Sequence, residues 1–106
     1  MERVSPPSSI LPEVLKKVNY ERWSILMQHY LELRDLWEVI QSHRMPQGGN
    51  REKWTKKNAL ALYAIRISCG TETFDQIKKI PHAKTGWDAL AVKLKTPPVV
   101  EVVVVP

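Results

Sequence analysis

From Asn19 onward, apolar side chains recur at the interval of an α-helix. Trp23, Leu26, Met27, Tyr30 and Leu31 stand at i, i+3, i+4, i+7 and i+8, which aligns them as one stripe, while polar Gln28, Glu32 and Arg34 face elsewhere. The spacing predicts an amphipathic helix docked on one side. Asn19 is placed to cap it, its side-chain oxygen taking an amide of the first turn, with Glu21 and Arg22 following. Leu36, Trp37 and Ile40 make a second, shorter apolar face, for which Asp35 is the expected cap. Residues 42–50 contain Pro46, Gly48 and Gly49 and read as a loop.

A third helix is predicted to start after Asn50 and run to Cys69, with Gly70 standing where a left-handed residue commonly ends a helix. Residues 59–65 are apolar on every side, which places this helix at the centre of the bundle. Thr71 is the expected cap of a short fourth helix carrying Phe74 and Ile77, stopped before Pro81. The fifth carries Ala83, Trp87, Leu90, Ala91 and Leu94 at helical spacing, and Gly86 inside it costs roughly 1 kcal/mol relative to alanine.

The two ends differ from this pattern. Residues 1–11, with Pro6, Pro7, Ser8 and Ser9, have no apolar period and read as a flexible lead-in. After Pro97 and Pro98 comes a β-prone, valine-rich tail too short to span a bilayer. The expected organisation is therefore all-α: a small bundle of about five short helices over residues 12–95, between Pro-containing flexible ends at 1–11 and 96–106. At 106 residues there is room for one domain with a thin core. A composition of 43% hydrophobic and 25% charged residues is that of a folded chain rather than a disordered one.

Charge adds a lead to partners. The net charge is +5, but residues 1–40 hold five basic and six acidic groups, whereas residues 41–106 hold eleven basic and five acidic groups. A basic second half attracts polyanions such as RNA, or an acidic partner. Arg51, Lys53, Lys56, Lys57, Lys78, Lys79 and Lys84 are the candidate phosphate contacts, and any binding through them is expected to be weak and salt-sensitive. The plainer reading of the same charges is a solvated surface. Trp54 stands among the first four of these cations, where it either stacks on a base or anchors the first turn of its helix. The other three tryptophans lie on apolar stripes and are expected in the core.

Catalytic parts are missing. Ser24, Ser68 and Cys69 fall within predicted helix, with no Gly-x-Ser-x-Gly turn to raise a nucleophile. His29, His43 and His82 are far apart and form no i, i+4 metal-ligand pair. Residues 47–50 make a flexible turn rather than a phosphate cradle, and Glu32, Asp35 and Glu38 read as a solvated acidic face. A non-enzymatic protein with no cofactor, metal or small-molecule substrate is expected. Cys69 alone permits no intramolecular disulfide, and no apolar leader or run of ~18 apolar residues occurs, so the expected compartment is the cytosol or nucleus, without a membrane partner.

Two blocks of this sequence resemble the front of Copia-type retrotransposon Gag. The first is Asn19-Tyr20-Glu21-Arg22-Trp23, followed by Met27, Leu31 and Leu36-Trp37-Glu38-Val39-Ile40. In the second, Trp54 leads into Ala59, Ala61 and Ile65, then Phe74 and Ile77, then Ala83-Lys84-Thr85-Gly86-Trp87-Asp88-Ala89-Leu90. Together they cover roughly residues 15–94. The resemblance implies a helical, capsid N-terminal-like fold serving self-association, or association with related Gag chains, around RNA. It implies fold-defining roles for Asn19, Tyr20, Trp23, Leu36, Trp37, Trp87 and Leu90. Two features depart from the family pattern: Lys17 and Val18 stand where it carries a glycine, and with one cysteine there is no zinc knuckle. Since Gag ordinarily continues through further helices, a truncated or host-adopted Gag fragment is the form expected.

Overall fold

The stripe on Trp23, Met27 and Leu31 becomes the inner face of α1, Tyr20–Leu33, with all three side chains buried and Leu26 and Tyr30 packed at its margins. The computed structural model describes residues 10–41 and 50–94. Within them follow α2 (Glu38–Gln41), α3 (Asn50–Ser68), α4 (Thr71–Ile77) and α5 (Ala83–Leu94), and one 3-10 turn, Lys17–Asn19, precedes α1. This is the small all-α bundle that the periodicity predicts. The expected loop at 42–49, residues 1–9 of the lead-in and the tail at 96–106 lie outside the described residues. Leu11 and Leu15 are buried and Ile10 packs against the core, so the core reaches back into the expected lead-in.

One carbonyl ties that segment down. Ser68, at the last residue of α3, has a carbonyl left without an intrahelical partner. It accepts both the Leu15 amide at 2.9 Å and the Trp23 indole N–H at 3.1 Å, joining the N-terminal segment, α1 and α3 at one atom. Beside it, Leu15 and Cys69 form an isolated parallel β-bridge. Asn19 precedes α1 as expected, but its side chain does not cap that helix. Its Oδ1 accepts the Lys16 amide at 2.7 Å and its Nδ2 donates to the Val14 carbonyl at 3.0 Å, which folds the incoming chain back on itself.

Asp35 is likewise not the cap of α2. It occupies the left-handed region at φ 63° and ends α1 instead. The Leu36 amide reaches the Leu31 carbonyl at 2.7 Å and the Asp35 amide reaches Glu32 at 3.0 Å, the paired bonds of a Schellman motif, with Leu31 and Leu36 both buried beneath. Glycine usually takes this position; a short polar side chain such as aspartate tolerates it better than most. The left-handed ending expected at Gly70 does not occur. Gly70 is extended at φ −65° and ψ 170°, and it, rather than Thr71, stands at the N-cap of α4.

Placing α3 at the centre of the bundle needs a correction too. Trp54, Asn58, Ala61, Leu62, Ala64, Ile65 and Ser68 form its buried face, but Leu60 is 49% and Tyr63 57% exposed on the other side. The apolar run from 59 to 65 is thus two faces, one inside and one outside. Helix α5 packs on the inner one, where Gly86 is buried against Leu62 and Ile80. Asn58 clamps the entry to α5: its Oδ1 accepts the buried Ala83 amide at 2.7 Å and its Nδ2 donates to the Pro81 carbonyl at 2.8 Å.

Candidate functional site

The fold brings the two sequence blocks into contact. Trp87 on α5 stacks on Trp23 of α1, with centroids 6.1 Å apart and planes at 28°, and meets Trp37 edge-on at 5.3 Å and 83°. Asn19, Tyr20, Trp23, Leu36 and Leu90 are buried, whereas Trp37 and Trp87 are half-buried at the margin of the cluster. Burial, and behind it the charge of Asp88, pushes the Tyr20 phenol above the ordinary tyrosine range. All seven positions therefore serve packing or local hydrogen bonding, and the tryptophan cluster is where α1, α2 and α5 meet.

The candidate phosphate contacts do not form one site. Lys57 is drawn away: its ammonium donates to Asp35 at 3.0 Å and Glu38 at 3.2 Å, joining α3 to the α1–α2 junction. Those contacts, chiefly the hydrogen bond to Asp35, hold it above the usual lysine range. Lys78 pairs with Asp75 at 3.4 Å and Lys84 with Asp88 at 3.0 Å. Arg51, Lys53, Lys56 and Lys79 are exposed and, among the described residues, have no carboxylate within ion-pair distance. Trp54 is only 7% exposed and packs edge-on against His82 at 5.9 Å, so its ring is an anchor between α3 and the approach to α5 rather than a platform for a base.

The nucleophile candidates are equally occupied by structure. Ser24 donates to the Glu21 carbonyl within α1 at 2.9 Å, and Ser68 is wholly buried. Cys69 is buried, and loss of hydration pushes its thiol up to about 11, far from a reactive thiolate at neutral pH. His29 is exposed on α1, His82 faces Trp54, and His43 lies outside the described residues. Among the described residues no group of three His, Cys, Asp or Glu side chains is placed to hold a metal, and no helix is long and apolar enough to cross a membrane.

Of the surface depressions among the described residues, two are lined in part by α5. One, of about 570 Å³, runs between α1 and α5 over Tyr20, Ile25 and Trp87. The other, of about 410 Å³, lies between the N-terminal segment, α4 and α5, and collects Lys16, Lys17 and Lys93. The charge count by halves hid this second grouping, because its lysines come from opposite ends of the sequence and meet only in the fold. No family model, curated protein or solved structure matches this chain.

Proposed function

We propose that this chain is a non-enzymatic association domain of the Copia Gag type, joining to further copies of itself or to related Gag chains. The observation that carries the reading is the meeting of its two motif blocks in one cluster, Trp23, Trp37 and Trp87, which accounts for why aromatic residues recur at those points of an otherwise ordinary helical chain. The surface offered for association is the outer side of α3. Leu60, Tyr63 and half-buried Ile67 lie at i, i+3 and i+7, an apolar stripe that the described residues cover only in part. Crossing two α3 helices would bury these side chains against each other without disturbing the inner face that carries the core. The experiment is light scattering behind size exclusion, over a range of concentrations and after nuclease treatment. A mass that climbs with concentration above the 12.2 kDa of one chain supports the reading, and a constant 12.2 kDa removes self-association from it.

A second reading rests on Arg51, Lys53 and Lys56, exposed and without ion-pair partners among the described residues on the first two turns of α3. These cations suit weak, unspecific contact with RNA phosphates. Titration of labelled RNA at two salt concentrations tests it. Affinity that falls with salt, and falls further in Lys53→Gln/Lys56→Gln, supports it; the absence of any salt-sensitive signal excludes it.

A further inference from the structure

We propose that the groove between the N-terminal segment, α4 and α5 binds a compact ligand carrying adjacent phosphate groups, held by Lys16, Lys17 and Lys93. This inference is independent of the association reading. The three lysines come from two elements far apart in the sequence, yet they line one depression of about 410 Å³, together with Thr73 and Gln76 of α4. That volume lies in the range of small-ligand sites, roughly 300–1,000 Å³. Of the other cations among the described residues, Arg22, Lys57, Lys78 and Lys84 each hold a carboxylate, whereas Arg51, Lys53, Lys56 and Lys79 stand on surfaces outside this groove. Lys16, Lys17 and Lys93 have none within ion-pair distance among the described residues. Glu13, which feels Lys16 only weakly, is already held by Arg22 at 2.9 Å.

The chemistry of the ligand follows from the lining. Three ammonium groups against Glu72, the one carboxylate that lines the groove among the described residues, leave an excess of positive charge that a single monoanion does not balance. Lysine recognises phosphate as a point charge rather than through a planar fork, so adjacent phosphates, each able to approach a different ammonium, fit better than one planar carboxylate. The Thr73 hydroxyl and Gln76 amide add hydrogen-bonding groups to the same wall.

The test is a nitrogen-15 NMR titration of the full chain at low salt with tripolyphosphate, and in parallel with orthophosphate. Saturable shifts are expected at Lys16, Lys17, Thr73, Gln76 and Lys93, with orthophosphate weaker by about tenfold or more, the equivalent of 1.4 kcal/mol. Lys16→Gln/Lys17→Gln/Lys93→Gln, which changes only exposed side chains, is expected to fold normally by circular dichroism and to lose tripolyphosphate binding by a similar factor. Lys53→Gln/Lys56→Gln is expected to retain it. A nucleoside triphosphate and an inositol polyphosphate, titrated alongside, identify the source by which binds tighter than tripolyphosphate itself. Equal loss in the two lysine variants, or shifts spread over all the basic residues, would mean unspecific attraction and overturn the proposal. So would a titration that never saturates.

Discussion

Replacing Asn58 tests whether α5 is held in place by hydrogen bonding from α3 or merely by apolar packing. The Asn58 side chain is buried and makes two bonds to backbone groups that no helix or strand ladder serves, one to the Ala83 amide at 2.7 Å and one to the Pro81 carbonyl at 2.8 Å. Ala83 is wholly buried, so its amide cannot turn to water when the partner is lost, and an orphaned buried donor costs about 1–3 kcal/mol. Pro81 is exposed, and its carbonyl can be rehydrated, so the second bond is worth about 0.5–1.5 kcal/mol. Asn58→Ala is therefore expected to lose about 2–4 kcal/mol, a large part of the 5–15 kcal/mol typical of a domain. At about 4–8 °C per kcal/mol for a chain of this size, Tm falls by at least about 8 °C. Urea unfolding followed by tryptophan fluorescence and far-ultraviolet circular dichroism measures the change. Asn58→Leu is the discriminating variant, because it keeps a branched side chain of similar size and removes only the hydrogen bonds. An Asn58→Leu protein within about 0.5 kcal/mol of the parent, the scale of an inconsequential substitution, would refute the reasoning.

Three further outcomes follow from local geometry. At Asp35, φ of 63° favours glycine over any residue with a Cβ, so Asp35→Gly is expected to be more stable than Asp35→Ala by about 1–2 kcal/mol in urea unfolding; both lack the carboxylate, so the difference isolates the backbone. Gly86→Ala has room, since its Cβ would stand 3.7 Å from Leu62 Cδ2 and 4.0 Å from Ile80 Cγ2, ordinary contact distances; a gain of about 0.5–1 kcal/mol is expected, and a loss would mean that α5 approaches α3 more tightly than this. Stability is expected to fall as pH rises from 9.0 toward about 11, the interval between the ordinary and the folded values for the Cys69 thiol. Tyr20 and Lys57 are also shifted upward, so all three groups hold their protons more tightly in the fold than in the unfolded chain, and stability is lost as pH climbs through that window. Urea midpoints across it check the sign, and Cys69→Ala should flatten part of the slope.

What could be read from the sequence was whatever depends on periodicity. The α1 stripe, the short apolar face of α2 and the apolar face of α5 follow directly from spacing, and each side chain they place inward is buried or half-buried. Punctuation was harder to read. Asp35 looked like the start of a helix because aspartate commonly caps, whereas the fold uses its tolerance of the left-handed region; Gly70, the residue expected there, is extended. Asn58 gave no signal, because a polar residue among lysines at the start of a helix suggests a wet face, and only the arrival of α5 reveals which backbone groups it serves. On α3 the reading failed from the opposite side: seven apolar residues in a row have no period, so the outward placement of Leu60 and Tyr63 could not be inferred. For Trp54 the sequence left two readings, a helix anchor or a base-stacking platform; the fold turns the ring toward His82, as an anchor, and binds neighbouring Lys57 to Asp35 and Glu38. Lys16, Lys17 and Lys93 went unremarked because nothing in one dimension connects them.

Sedimentation equilibrium of the parent protein and of Leu60→Glu/Tyr63→Glu, side by side over a broad concentration range, tests the association reading most directly. Both substitutions lie on the outer side of α3, so the variant should keep its fold by circular dichroism. The account predicts that the parent's apparent mass rises with concentration while the variant stays at 12.2 kDa. A parent that remains at 12.2 kDa throughout, or a variant that associates as strongly as the parent, contradicts it.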